Sequence, residues 1–220
     1  MKNFNHVGNS LQELTTENIE GKRHYVLPNG DKCISITTLL SELSREGISR
    51  WRARVGAEEA NRISTKASRQ GTAVHSLCES YIKNEEEFLE GKMPHLVEMF
   101  DSILPLLDRI DNVHVTEGAL YSDELGLAGR TDLIAEFDGQ LAIIDYKTSR
   151  RIKTWSMCHS YFMQGAFYAH AYEERTGIPI NNIVIIMAVE NEEPLLFRET
   201  KDRWLEPLNQ VRHKYSKEFV

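Results

Sequence analysis

Asp132, Asp145 and Lys147 flank an Asp138-Gly139 pair that separates two apolar, β-branched runs. An Asp-Gly pair in that setting is a strong hairpin signal, because its backbone accepts the positive φ angles of a type I′ turn. With Asp138-Gly139 as a two-residue loop, Phe137 opposes Gln140, and counting outward sets Asp132 across from Asp145. Residues so opposed have Cβ atoms about 4.5–5.5 Å apart. Lys147 shares the face of Asp145 because the strand period is two. Like charges opposed on an apolar hairpin are destabilising unless something cationic lies between them, and a divalent metal ion is the natural candidate.

Three further constellations could serve that centre. His75 and Glu79 lie one turn apart on a predicted helix, so an imidazole could add a ligand. Glu117 precedes the hairpin on a predicted strand and could bind metal or orient a water if it faces the same way. Tyr161, Gln164 and Tyr168, extended by Tyr172, form a polar and aromatic stripe on a helix over 157–175. Such rings, beside a basic cleft, can stack on unpaired bases. Two stretches supply the cations: Arg45 to Arg69, including Arg52 and Arg54, and Lys147, Arg150, Arg151 and Lys153. A positive strip starting at the metal site would offset the net charge of −7, which by itself argues against a polyanionic partner.

The elements that must position these groups follow from period and punctuation. Residues 1–21 are polar and aperiodic and are expected to be loosely ordered. Strands are expected at Tyr25–Leu27 and Cys33–Ile36. Helices are expected from Thr37 or Thr38 to Arg45, from Ser49, and from Ala57 onward with a break or recapping near Gly71-Thr72. Acidic Glu85–Glu90 reads as a linker before a helix at 94–109. Alternation through Val113, Val115, Glu117 and Ala119 begins the sheet, Ile183–Val189 is a buried strand, and 201–217 is helical. The pattern predicts an α/β fold with a mixed central β-sheet flanked by helices and an N-terminal helical addition. One domain over 22–220 is expected, with a hairpin and basic helices to residue 68 and a core from 69. No run is apolar enough to span a bilayer, Glu13, Glu17 and Glu20 suit neither a signal nor a transit peptide, and Cys33, Cys78 and Cys158 lack the spacing of a disulfide or zinc framework. A cytoplasmic protein with no membrane partner is expected.

Gly71-Thr72-x-x-His75-x-x-x-Glu79, Gly126-x-x-Gly129-x-x-Asp132, Asp145-x-Lys147-Thr148 and Gln164-x-x-x-Tyr168 together resemble the ordered motifs of RecB-type nucleases in the PD-(D/E)XK superfamily. Upstream, Tyr25-x-x-Pro28-Asn29-Gly30, Ser35-Ile36-Thr37-Thr38-Leu39-Leu40 and Trp51-Arg52-x-Arg54-Val55-Gly56-x-Glu58-Glu59-Ala60-Asn61 are similar to mitochondrial genome maintenance exonucleases and their bacteriophage relatives. Gln70 departs from the Arg usual before Gly-Thr, with Arg69 one place earlier. Asp145 stands where Glu is also common.

The resemblance implies a restriction-endonuclease-like core and a metal-dependent DNA exonuclease. It implies that His75, Asp132, Asp145 and the Tyr146 carbonyl bind Mg²⁺ or Mn²⁺ and that Lys147 positions or deprotonates the attacking water. Because a lysine beside carboxylates has no evident reason for a lowered pKa, orientation and charge stabilisation are the expected role rather than general base. Arg52, Arg54, Arg69, Thr72, Thr148, Ser149, Arg150, Tyr161, Gln164 and Tyr168 are the expected DNA contacts. Single-stranded DNA or frayed ends, in phage or bacterial replication, recombination or repair, is the expected setting, with replication or recombination proteins as partners. A structure-specific endonuclease and a catalytically silent DNA-binding adaptor are the alternatives.

Overall fold

A computed structural model describes residues 2–8 and 11–215. An eight-stranded mixed sheet crosses the molecule in the order β1-β2-β3-β5-β6-β7-β8, with β4 added on β5. The strands are β1 (Thr15–Ile19), β2 (Lys22–Val26), β3 (Lys32–Ser35), β4 (Ile110–Ser122), β5 (Leu127–Phe137), β6 (Gln140–Ser149), β7 (Asn182–Val189) and β8 (Leu195–Thr200). Helices α1 (Ile36–Ser41), α2 (Arg45–Val55), α3 (Ala57–Ile82), α4 (Pro94–Leu107), α5 (His159–Thr176) and α6 (Lys201–Tyr215) complete it. β3 and β5 run parallel, as do β6 and β7; the other pairs are antiparallel.

Period-two alternation sorts the sheet's apolar side chains into two cores. Ile134, Ile143, Ile183, Ile185 and Met187 pack with α5 and α6, around Phe162, Phe167 and Trp204. Leu133, Ile144, Val184, Ile186 and Ala188 pack with α3 and α4, around Leu77, Phe100 and Ile103. Both faces are therefore covered, which is why β7 reads as a continuous apolar run.

The hairpin forms as expected. Phe137 pairs Gln140, and Asp138 and Gly139 take φ of 51° and 75°. Four expectations need correction. Residues 15–19 are not loosely ordered: they pair with β2, while Phe4 is buried and the Val7 amide donates to the Val113 carbonyl at 2.9 Å. That order comes from long-range contacts with no local signature. α3 runs unbroken through Gly71, which sits where the helix meets β6: a Cβ there would lie 3.4 Å from Thr148 Oγ1. Ser35, rather than either threonine, caps α1, accepting from the Thr38 amide. Finally, α2 begins at Arg45 rather than Ser49. Residues 1, 9, 10, 216 and 217 of the expected segments lie outside the described residues.

Candidate active site

One edge of β5 is bordered by β4 along the strand. The other edge is shared: β3 pairs with Leu127 and Ala128, and β6 with Leu133 to Phe137. Between them Gly129, Arg130, Thr131 and Asp132 have no ladder partner on that side, so the sheet parts there. A cavity of about 850 Å³ opens at the gap, walled by Gly129, Arg130, Asp132, Glu117, Lys147 and, from α3, Gly71, Thr72, His75, Ser76 and Glu79. Gln164 and Tyr168 of α5 reach it from the other core, and Leu14, Thr16, Arg23, Tyr25 and Thr37 close it from the N-terminal strands.

Asp132 lies at the centre of the strand register. The hairpin ladder ends at Leu133↔Ile144, so one step further Asp132 stands across from Asp145. On its other side, the pairs Thr116↔Leu133 and Gly118↔Thr131 place Glu117 across from it. Three carboxylates thus line up over three strands. Instead of a ladder hydrogen bond, the Asp132 carboxylate accepts the Tyr146 amide at 2.8 Å, and His75 Nδ1 lies 3.4 Å from the same oxygen. The Glu117 backbone has φ of 51°, a conformation that strains a long side chain's backbone.

The electrostatics follow from this crowding. Burial, then the charges of Asp132 and Glu79, push Glu117 up to about 7, against the pull of Arg130 and Lys83. Burial also raises Asp145, although Lys147 opposes it. Burial pushes the Lys147 ammonium down, but Asp145 and Asp132 outweigh that and hold it charged. Lys147 Nζ lies 2.5 Å from Asp145 Oδ2 and donates to Gln164 Oε1 at 3.4 Å; Gln164 Nε2 in turn donates to the Tyr168 hydroxyl at 3.2 Å. This chain ties the lysine to α5.

Asp145 is 1% exposed and its Oδ1 accepts no hydrogen bond among the described residues. An unsatisfied buried carboxylate oxygen beside two more carboxylates is a hard-oxygen donor set suited to a divalent cation. Among the described residues no three His, Cys, Asp or Glu side chains are already gathered as a metal cluster. Lys147 lies against Asp145, and the Tyr146 amide against Asp132. An ion that retains several waters tolerates such a partial protein shell.

The remaining expected site residues are spread more widely. Thr72, Gln164 and Tyr168 border the cavity. Thr148 abuts Gly71, Ser149 Oγ donates to the Arg151 carbonyl, and Arg150 is exposed beyond the strand. Arg52 donates to Asn61, and Arg54 is exposed on α2. Arg69 lines a separate groove with Lys66, Met93 and Leu96, while Gln70 is buried and donates to Met99 Sδ at 2.9 Å. Tyr161 lies between Lys147 and Lys153, 5.1 and 4.8 Å from its ring centre.

Tyr168 requires correction as a base-stacking platform. Its ring is 1% exposed and packs where a Cβ on Gly129 would meet it at 2.9 Å, leaving only hydrogen bonding to the hydroxyl. Arg23, Thr16, Thr37 and Arg130 were missed by sequence reasoning. Arg130 sits inside the Gly129–Asp132 motif and could have been found; the others reach the site through the long-range β3–β5 pairing.

The sequence profile of the PD-(D/E)XK nuclease superfamily matches residues 45–194. Over 110 residues the chain is 28% identical to mitochondrial genome maintenance exonuclease 1 of Mus musculus, covering 48% of this chain and 32% of that protein. The Homo sapiens protein of that name is 28% identical over 112 residues, with the same coverage. The match thus spans about a third of these curated relatives' length. A crystal structure of a candidate exonuclease from Eubacterium rectale, 15% identical, overlaps 67% of this chain and 65% of its own with TM-score 0.47, a likeness too loose to enter the assignment. The profile takes in α3, the β5–β6 hairpin and α5, and with more than half its length so matched the chain belongs to the PD-(D/E)XK nuclease superfamily.

Proposed function

We propose that this nuclease is a Mg²⁺- or Mn²⁺-dependent DNA exonuclease acting on single strands or frayed ends, in phage or bacterial replication, recombination or repair. The observation that carries the reading is the convergence of Asp132, Glu117 and Lys147 on one cavity, with Asp145 buried behind the lysine. The exonuclease activity named for the mitochondrial relatives supports the mode of cutting.

Asp132 and Asp145, with His75 and the Tyr146 carbonyl, are the groups that would hold the ion. When bound, a divalent cation supplies Lewis acidity toward a phosphoryl oxygen and acidifies water. Lys147, kept charged by its carboxylate neighbours, orients water and meets the negative charge that builds on phosphoryl oxygens. Glu117, with a proton affinity near neutrality, can take a proton from that water. Gln164 fixes the lysine.

Linear single-stranded DNA labelled at each end in turn, beside circular single-stranded DNA, tests the reading with Mg²⁺, Mn²⁺ or EDTA. Metal-dependent loss of linear DNA with the circle intact is expected. A cut circle would make the protein an endonuclease, and binding without cleavage in any metal would make it an adaptor.

A further inference from the structure

Arg23 of β2 stands in the cavity wall with Thr16 of β1 and Thr37 of α1. Its Nη2 donates to Thr37 Oγ1 at 2.6 Å and to Ser35 Oγ at 3.4 Å, and its guanidinium carbon lies 6.0 Å from the Tyr25 ring centre. The other cations of the wall are neutralised: Lys147 pairs with Asp145, and Arg130 with Glu13 at 2.5 Å. Among the described residues no carboxylate pairs with Arg23, and its Nε and Nη1 hydrogens have no protein acceptor. An oriented guanidinium with spare donors, facing a cavity, matches the two-oxygen geometry of a phosphate.

We propose that Arg23 binds a backbone phosphate of the substrate strand other than the one being cut, and so fixes where the strand lies in the cavity. This rests on the nuclease reading above. Lys147 and the carboxylates serve the scissile group; Arg23 contacts none of them and comes from strands joined to the core sheet by the β3–β5 pairing and packed on it through Tyr25 and Leu27. The N-terminal strands thereby become part of the substrate channel.

Binding of a fluorescent single-stranded oligothymidylate in EDTA, followed by anisotropy over a salt series, tests this with Arg23→Gln and Arg23→Lys. Arg23→Gln is expected to weaken binding about tenfold, the effect of a lost charged hydrogen bond. It should also flatten the slope of log K against log salt by about 0.7, the release expected for one phosphate of a single strand. Arg23→Lys should keep the slope while losing affinity, because an ammonium lacks the fork. Replacing phosphates one at a time by neutral methylphosphonate should weaken the unmodified protein at one linkage where Arg23→Gln is unaffected. An unchanged salt slope in Arg23→Gln, with the same methylphosphonate profile as the unmodified protein, would overturn the proposal and leave the arginine a purely structural partner of Thr37, even if DNA is still cut. An unmodified protein that neither binds nor cuts DNA would remove both this inference and the nuclease reading.

Discussion

The β5–β6 hairpin carries carboxylates at both ends and treats them in opposite ways. At its turn, Asp138 is gripped by Arg109, at 3.0 and 2.7 Å, and by Arg198, and these partners pull it down to about 2. At the open end Asp145, and Glu117 on the adjoining strand β4, are pushed up, with Asp132 as acidic neighbour and a buried Asp145 oxygen left unsatisfied. The turn keeps its charge by pairing it fully. The gap keeps its carboxylates short of cations, a costly arrangement that persists only where a site is served. Glycines differ likewise: Gly139 answers to its φ of 75°, whereas Gly129 answers to space, since a Cβ would come within 2.8 Å of Ile36 and 2.9 Å of Tyr168.

The sharpest division between the two ends should be catalytic. Lys147→Gln, which can still donate to Asp145, is expected to lower DNA cleavage by on the order of a hundredfold to a thousandfold, while Asp138→Asn leaves the rate unchanged. Quenched time courses on one substrate compare them. Lys147→Ala is a poorer probe, because it strips the 1%-exposed Asp145 of its ion-pair partner and will cost stability as well.

Stability should divide next. Gly129→Ala is expected to cost about 1–3 kcal/mol by overpacking two buried side chains. Gly139→Ala is expected to cost about 1–2 kcal/mol through its left-handed backbone. Urea titrations measure both, and only the first should also impair cleavage.

Protonation provides a subtler contrast. Glu117 binds its proton more tightly folded, near 7, than at its ordinary 4.5, so the metal-free fold should lose stability as pH rises from 4.5 through 7. Glu117→Gln should remove that slope and stabilise the metal-free protein at pH 8 by about 1–2 kcal/mol, allowing for solvent screening, with no gain near pH 4. Asp138 has the opposite sign: its contribution is present above its ordinary 3.8 and fades as pH falls toward 2. Asp138→Asn should therefore lower the melting temperature slightly at pH 7, less so in high salt.

What the sequence made legible was local. The Asp-Gly turn fixed the register, and the register placed Asp132 across from Asp145 and Lys147 on the face of Asp145. The apolar alternation of β6 and the continuous run of β7 announced a covered sheet. The parting of β5 between two partners was not legible, because it depends on Ile34 and Ser35 pairing with Leu127 and Ala128 some ninety residues away. The order of residues 2–8, the depth of Tyr168 and the presence of Arg23 in the cavity share that long-range origin. Gly71 misled for a related reason: α3 is held through it by the packing of Val74 and Leu77 on the sheet, which overrides glycine's weak local helix propensity.

Thermal melting of the unmodified protein, Asp132→Asn and Asp138→Asn, with and without Mn²⁺ at pH 6 and pH 8, tests most directly whether the gap carboxylates are held for a cation. The account predicts a saturable Mn²⁺-dependent rise, larger at pH 8, that Asp138→Asn keeps and Asp132→Asn loses. An equal rise in all three proteins, or no rise in a protein that cuts DNA in EDTA, would contradict it.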